Sequence, residues 1–313
     1  MLLFGGAARQ FEQPIVERYP DVETVFALPR DIGSVDLAGV SCAVGWRFPG
    51  GAFADMPDLR WIQSVSVGVD NWVYDSAIPR DVVITNTKGL YSTEVAEYII
   101  WALLTLSRRF HLATRNQQKR RWRQVAGHSL AGKTIGIAGM GHLGRATATI
   151  ARALGMRVVG LCRTADDARA AEFADEIVAT TALDSALGDL DFLVVCLPLT
   201  RETSGMFGRE EIARLKPGAI VVNSARSSIV GAQGVVDAVK SGHLAGAALD
   251  VFDKEPLSRL STLWKQQNIL VTPHIAAFTK DYKTKVGSRI LENIERLREG
   301  RPLQGVVNRG KGY

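Results

Sequence analysis

Two doubly wound, parallel-sheet α/β domains with a cleft between them are the fold this sequence predicts, and three observations carry the prediction. Short apolar runs alternate with longer helix-like segments from the start of the chain, a cadence that implies parallel strands joined by crossover helices. A second series of the same kind opens at Lys133, after a long amphipathic stretch that begins near Ser92-Thr93. At the head of that second series stands Gly139-Met-Gly141-His-Leu-Gly144, between the apolar run Thr134–Ala138 and a helix-like stretch over 143–154.

In the first series, residues 22–28, 41–46, 59–64 and 82–85 read as strands, and the domain is expected to be flavodoxin-like. Around Ser92 the period changes from strand to helix. Thr93 reads as the cap, Glu94 and Glu97 complement the positive end of the helix dipole, and the helix is expected to run past Arg109. The second series continues through strand candidates at 157–161, 192–197, 219–223, 245–251 and 269–271, six strands in all and enough for a complete Rossmann domain. A final helix, with Val286, Ile290, Ile294 and Leu297 on one face, is expected to return to the first domain. The expected division is therefore 1–100 and 282–313 for one domain and 101–281 for the other.

The glycine motif alone is weak evidence: with 30 glycines in 313 residues, a chance G-x-G-x-x-G arises in roughly one chain in four. Its context makes it specific. In a strand-turn-helix setting the first glycine allows the tight turn, the second admits a pyrophosphate to the backbone, and the third lets helix and strand pack closely. Gly139, Gly141, His142, Leu143 and Gly144 are thus candidate dinucleotide contacts. About 20 residues on, where an acid would accept hydrogen bonds from the adenine ribose, the chain has Cys162-Arg163-Thr164. A guanidinium and a hydroxyl suit a 2′-phosphate, so the cofactor is expected to be NADPH/NADP+ in preference to NADH.

Composition sets limits on the rest. A chain of 313 residues with 46% apolar content can bury two cores. The net charge of +6 raises the question of nucleic acid, but the one dense basic cluster, Lys119-Arg120-Arg121-Trp122-Arg123, has no accompanying nucleic-acid motif and reads as a solvated face. An anionic cofactor and an anionic substrate are sufficient partners. Cys42, Cys162 and Cys196 are odd in number and scattered, which speaks against a disulfide framework or a metal site. The opening Met1-Leu2-Leu3-Phe4 lacks a basic start and is too short for a leader, and the longest apolar stretch, 98–106, is about half a membrane span. A soluble, cytoplasmic protein is expected.

Three polar residues follow strands of the second domain: Arg226, Glu255 and His274. In a parallel sheet, ligands collect at the carboxyl ends of strands, so all three can serve one crevice, with Asp250 facing the nicotinamide. The segments Asn223-Ser-Ala-Arg226, Leu249-Asp-Val-Phe-Asp-Lys-Glu255-Pro256 and Thr272-Pro-His274-Ile-Ala-Ala277 resemble the signatures of the D-2-hydroxyacid dehydrogenase family. Trp46, Cys162-Arg163-Thr164 and the closing Gly312-Tyr313 make the chain most similar to its NADPH-preferring glyoxylate/hydroxypyruvate reductase branch. Two positions depart from the pattern, Ser227 and Ala277, each where the family commonly has glycine.

The resemblance implies roles. Arg226 would hold the carboxylate and keto oxygen of a small 2-keto acid, His274 would protonate the carbonyl as hydride arrives, and Glu255 would orient and charge the imidazole, a part that Asp250 or Asp253 could share. Ser66-Val67-Gly68-Val69-Asp70 resembles the family's carboxylate-binding turn, with Val67 and Gly68 offering amides and Trp46 and Arg47 lining the pocket. Leu197, Pro198 and Thr203 would cover the cofactor, and Ser224, Ala225 and Ala276 would lie against it. A homodimer through the cofactor domain is implied as well. The alternatives are a reductase for bulkier branched or aromatic 2-keto acids and a non-enzymatic, nucleotide-sensing scaffold of the corepressor kind.

Overall fold

The structure, a computed structural model, describes residues 1–46, 48, 51–70 and 72–313. It divides into two compact units, Met1–Leu90 with Lys280–Tyr313, and Tyr91–Thr279.

The first unit is built on five parallel strands, β1 (Leu2–Phe4), β2 (Val25–Ala27), β3 (Cys42–Gly45), β4 (Trp61–Ser64) and β5 (Val83–Thr85), in the order β2-β1-β3-β4-β5. That is the flavodoxin-like order. Four of the strands lie within the runs expected from sequence. The fifth, β1, is the opening Leu2-Leu3-Phe4, wholly buried between two neighbours and too short for its pattern to announce a strand. Leu2, Phe4, Ala43, Ile62, Ile84 and Trp72 share one core cluster. Tyr282–Arg298 returns as a helix that buries Val286, Ile290 and Ile294, whereas Leu297 is 42% exposed.

A polar chain runs inside this unit. The Trp61 indole donates to Thr85 Oγ1 at 2.8 Å, Thr85 donates to Gln63 Oε1 at 2.8 Å, and Asn293 Nδ2 donates to the same Gln63 oxygen at 2.9 Å. Asn293 also donates to the Gln304 carbonyl and accepts from the Gln304 amide. Buried polar groups are costly unless paired, and here the Asn293–Gln63 link ties the returning helix to the sheet while the Gln304 bonds tie it to the segment that follows.

The second unit holds seven parallel strands: β6 (Thr134–Ala138), β7 (Arg157–Cys162), β8 (Glu176–Ala179), β9 (Phe192–Val195), β10 (Ala219–Asn223), β11 (Leu244–Leu249) and β12 (Ile269–Val271). Their order, β12-β11-β10-β9-β6-β7-β8, is that of a Rossmann fold extended by one strand. The strand unseen in the sequence, β8, is an edge strand opening on exposed Glu176, so its apolar signal is short and broken. Strand order reverses between β6 and β9, which places a crevice beyond their carboxyl ends.

The expected long helix is two helices. Ser92–Ser107 ends before Arg109, which takes a left-handed φ of 57°, and Phe110–Gln118 follows. The cap expectation also changes: Tyr91 is the N-cap residue, without a side-chain cap bond, and Thr93 lies inside the first turn. The boundary expected at residue 100 falls inside the Ser92–Ser107 helix, which belongs entirely to the second unit. Among the described residues, no helix is long and apolar enough to cross a membrane.

Replacing Asn293 by Ala removes three hydrogen bonds of a buried side chain and leaves the Gln304 amide and carbonyl to find other partners. The expected loss is about 2–4 kcal/mol of unfolding free energy, measured by urea denaturation. A change within experimental scatter would show that the polar chain contributes nothing to holding the helix.

Candidate active site

The three motif glycines do three different physical jobs. Gly139 leaves β6 with φ +94°, and a Cβ there would sit 2.9 Å from the Cys196 carbonyl oxygen. A Cβ on Gly144 would lie 2.0 Å from the Gly139 carbonyl oxygen, so no side chain fits where helix crosses strand. At Gly141 a Cβ would meet nothing, which leaves the main chain open to an approaching group. The helix His142–Ala153 begins at Gly141 without a side-chain cap. Its first-turn N–H groups and positive dipole end therefore suit a phosphate. His142 is exposed and Leu143 half-buried at this end.

Beyond β7, Arg163 and Thr164 are exposed. The loop after β9 lies close to Arg163: the Glu202 carboxyl is held below its usual range first by the Thr200 hydroxyl and, more weakly, by the charges of Arg163 and Arg201. On that loop Leu197 packs beside Gly139, and Pro198 is half-buried. Thr203, expected to cover the cofactor, is tied into its own loop. Its hydroxyl donates to the Pro198 carbonyl at 2.7 Å and accepts from the Thr200 amide at 2.8 Å, so it shapes the loop from within.

At the end of β10, Asn223 clamps the turn that carries Arg226. Its Oδ1 accepts from the Ala225 amide at 3.1 Å and its Nδ2 donates to the Arg226 carbonyl at 2.9 Å. The Arg226 guanidinium donates to the Ala225 carbonyl. Among the described residues, the buried Ser224 hydroxyl has no partner.

Asp250, 1% exposed at the end of β11, builds the turn that carries His274. Its Oδ1 accepts from the Thr272 hydroxyl at 2.6 Å and the Ile275 amide at 2.9 Å, and its Oδ2 accepts from the Ala276 amide at 2.9 Å. Its main-chain carbonyl accepts from the His274 amide at 2.9 Å. Behind Thr272, the Tyr98 hydroxyl lies 2.7 Å from Oγ1. Burial lifts the Tyr98 hydroxyl far above the ordinary phenol range, so it remains a donor. His274 itself sits at φ 54°, a left-handed conformation sparsely used outside glycine and held here by the bonds around it.

The His274 Nδ1 lies 2.8 Å from Glu255 Oε2, while Glu255 Oε1 accepts from the Phe252 amide at 2.9 Å. Of the three neighbouring carboxylates, Glu255 is the one that reaches the imidazole. Burial pushes the Glu255 carboxyl up, but the hydrogen bonds from His274 and Phe252, with the charges of His274 and Arg226, outweigh it and hold the carboxyl below its usual range. A carboxylate can only accept, so Nδ1 carries a proton and Nε2 is the nitrogen left for chemistry. The pair is open to solvent, with side-chain exposures of 42% for His274 and 31% for Glu255.

In the first unit, Trp46 follows β3 and is 47% exposed, and Val67, 48% exposed, follows β4 with Gly68. Arg47 lies outside the described residues. No group of three His, Cys, Asp or Glu side chains among the described residues could hold a metal ion. Sequence reasoning missed Asn223, Thr272 and Tyr98. Of these only Asn223 left a signal, an Asn at the end of an apolar run ahead of a tight turn.

Residues 100–276 match the family described as D-isomer specific 2-hydroxyacid dehydrogenase, NAD binding domain. A D-3-phosphoglycerate dehydrogenase of Archaeoglobus fulgidus is 35% identical over 80% of this chain and 47% of its own, so the chain spans about half of that relative's length. A glyoxylate reductase of Korarchaeum cryptofilum is 32% identical over 98% of this chain and 89% of its own. Among solved structures, an NADPH-dependent glyoxylate/hydroxypyruvate reductase from Sinorhizobium meliloti, in complex with NADP and sulfate, aligns with a TM-score of 0.86 at 29% identity, covering 100% of this chain and 99% of that one.

The depressed Glu255 carboxyl has a sign that can be tested. The stabilisation from its link to His274 is present above the ordinary carboxylate pKa and is lost as pH falls through the lowered one. In a titration followed by the side-chain ¹³C shift, the Glu255 midpoint is expected below the model-peptide value and is expected to rise in His274→Asn. An equal midpoint in both proteins would remove the imidazole as the cause.

Proposed function

The chain belongs to the D-isomer specific 2-hydroxyacid dehydrogenase family, and from that premise we propose that it reduces a small 2-keto acid of the glyoxylate or hydroxypyruvate type to the D-2-hydroxy acid, with NADPH as reductant. The observation that carries the reading is the His274–Glu255 pair, 2.8 Å apart, with Arg226 near enough for its charge to act on Glu255. When bound, the nicotinamide supplies the hydride. As the hydride's electron pair enters the carbonyl carbon, the C=O π pair moves onto oxygen, and the proton on His274 Nε2 neutralises it. Glu255 stabilises the imidazolium before transfer and fixes the ring so that Nε2 is the nitrogen presented. The Arg226 guanidinium acts as a fork for the substrate's oxygens.

For the cofactor, Gly141 offers open backbone, the uncapped helix at His142 offers N–H groups to the pyrophosphate, and Arg163 with Thr164 would take the 2′-phosphate. The solved relative holding NADP supports the same preference. The glyoxylate reductase relative supports the substrate class, whereas the phosphoglycerate dehydrogenase relative makes a phosphorylated keto acid the comparison to run.

Self-association as a homodimer through the second unit is also proposed. Trp101, Phe110 and Trp264 are 44%, 48% and 50% exposed there, and a groove of about 760 Å³ is lined by Ile100, Trp101, Leu104, Phe110 and Leu270. Exposed aromatic side chains around an apolar groove suit burial against a second copy of the chain.

One set of initial rates tests the catalytic reading. Glyoxylate, hydroxypyruvate, phosphohydroxypyruvate and phenylpyruvate are each assayed with NADPH and NADH. The first two with NADPH should give the highest kcat/KM, His274→Asn should lower kcat by about 10²–10⁴-fold, and the Arg163→Ala/Thr164→Ala double variant should raise KM for NADPH far more than for NADH. Absence of turnover with every keto acid would remove the catalytic reading. For self-association, sedimentation velocity should show a dimer that Trp101→Glu converts to monomer, and a monomeric wild-type chain would end that proposal.

A further inference from the structure

Every carbonyl of the turn after β4 is tied down. The Ser64 oxygen accepts from Gln63 Nε2 at 2.7 Å, that of Val65 from the Tyr282 hydroxyl at 2.8 Å, and that of Ser66 from the Thr87 amide at 3.2 Å. The Val67 oxygen accepts from Asn86 Nδ2 at 2.7 Å, that of Gly68 from the Ser66 hydroxyl at 3.0 Å, and that of Val69 from the Trp72 amide at 2.8 Å. The donors are divided differently. The Val65 amide goes to Gly45 and the Ser66 amide to Ser64 Oγ, but the amides of Val67 and Gly68 have no acceptor among the described residues.

A trans peptide unit is rigid, and its N–H points opposite to the preceding C=O. Fixing the Val67 carbonyl therefore fixes the Gly68 N–H, and fixing the Ser66 carbonyl fixes that of Val67. The Ser66 and Val67 carbonyls both bond to the Asn86–Thr87 segment, so the next two N–H groups point away from it, and successive N–H groups on one side of a turn suit an anion. A flip of either peptide would replace a donor with a carbonyl oxygen and repel an anion. The peptide before Gly68 is the easiest to flip, because glycine imposes no Cβ penalty. Asn86 is the residue that prevents it. Its Nδ2 holds the Val67 carbonyl, its Oδ1 accepts from the Lys88 amide at 3.1 Å and so fixes the amide's orientation, and it is 3% exposed.

We infer that Asn86 is a positioning residue for carboxylate recognition: it locks the Val67–Gly68 peptide, next to the Ser66–Val67 peptide held by the Thr87 amide, so that two adjacent amides face the carboxylate of the keto acid, while Tyr282 braces the turn at the Val65 carbonyl just before them. The inference rests on the reductase reading above and adds the residues that give the turn its anion selectivity.

The test compares wild type with Asn86→Ala, Asn86→Asp and Tyr282→Phe in the full chain. The readouts are the KM and kcat for glyoxylate with NADPH, the Kd of NADPH alone, and the Kd of oxalate, a planar dicarboxylate with no reducible carbonyl, in the presence of NADPH. Asn86→Ala is expected to raise KM and the oxalate Kd about tenfold or more while kcat changes less than about threefold and NADPH affinity is retained. Asn86→Asp, which keeps the bond to Lys88 but loses the donor, should be at least as weak, and Tyr282→Phe should move the same constants about threefold. Wild-type KM and oxalate affinity in Asn86→Ala and Tyr282→Phe overturn the inference, as does a loss of kcat and NADPH affinity in parallel. If Asn86→Ala fails to fold, Asn86→Asp and Tyr282→Phe decide by the same readouts. Wild-type protein that neither reduces a keto acid nor binds oxalate overturns the reductase reading, and this inference falls with it.

Discussion

A single buried carboxylate, Asp250, decides where His274 stands. Taking a carboxyl group out of water is costly unless every oxygen finds donors, and the three donors that Asp250 finds all come from the segment Thr272–Ala276. The side chain at the end of β11 thus prescribes the path of the chain after β12. That path includes the left-handed turn at His274, a conformation that the local sequence would not adopt unaided. Tyr98 closes the arrangement from behind by holding Thr272, so the main-chain path of His274 is set from behind the turn and Glu255 holds the ring itself.

The anion sites proposed for the two units rest on one physical device, the main-chain N–H, with side chains serving mainly to keep carbonyls away. In the second unit the uncapped start of the His142–Ala153 helix does this by its regular geometry, and Gly141 leaves room in front of it. In the first unit no helix lies at the Val67–Gly68 turn, where Asn86 holds the Val67 carbonyl and Tyr282 the Val65 carbonyl before it. The difference matters for robustness: a helix terminus is maintained by a whole element, whereas the turn depends on two side chains far apart in the sequence.

That dependence explains what the sequence could and could not disclose. Thr134–Ala138, Ala219–Asn223 and Ile269–Val271 were legible to the residue because each is an apolar run bounded by glycine, asparagine or threonine. The expectation for Gly139, Gly141 and Gly144 came from spacing together with the flanking strand and helix signals, since the steric demands of a strand-turn-helix unit are local. Leu2–Phe4 and Glu176–Ala179 escaped because three or four residues carry too little periodicity. The break at Arg109 escaped because an arginine at positive φ has no sequence signature. Asn86, Thr272, Tyr98 and the inward hydroxyl of Thr203 escaped because their partners lie elsewhere in the chain or across a loop, and spacing records only neighbours along a strand or helix.

Charge at the ribose end of the dinucleotide site is a matter of balance as well as sign. Arg163 stands where an acid would disfavour a 2′-phosphate, but Glu202, on the loop after β9, lies within its field. A phosphate arriving at Arg163 therefore exchanges one negative neighbour for another in place of neutralising an isolated cation, and the net gain is the difference between a phosphate's attraction and that of an exposed carboxylate. Because a phosphate carries more charge and more acceptor oxygens than a carboxylate, the exchange still favours it. The NADPH preference proposed above is therefore expected to be smaller than the guanidinium alone would suggest, and to depend on the loop that carries Glu202 as well as on Arg163.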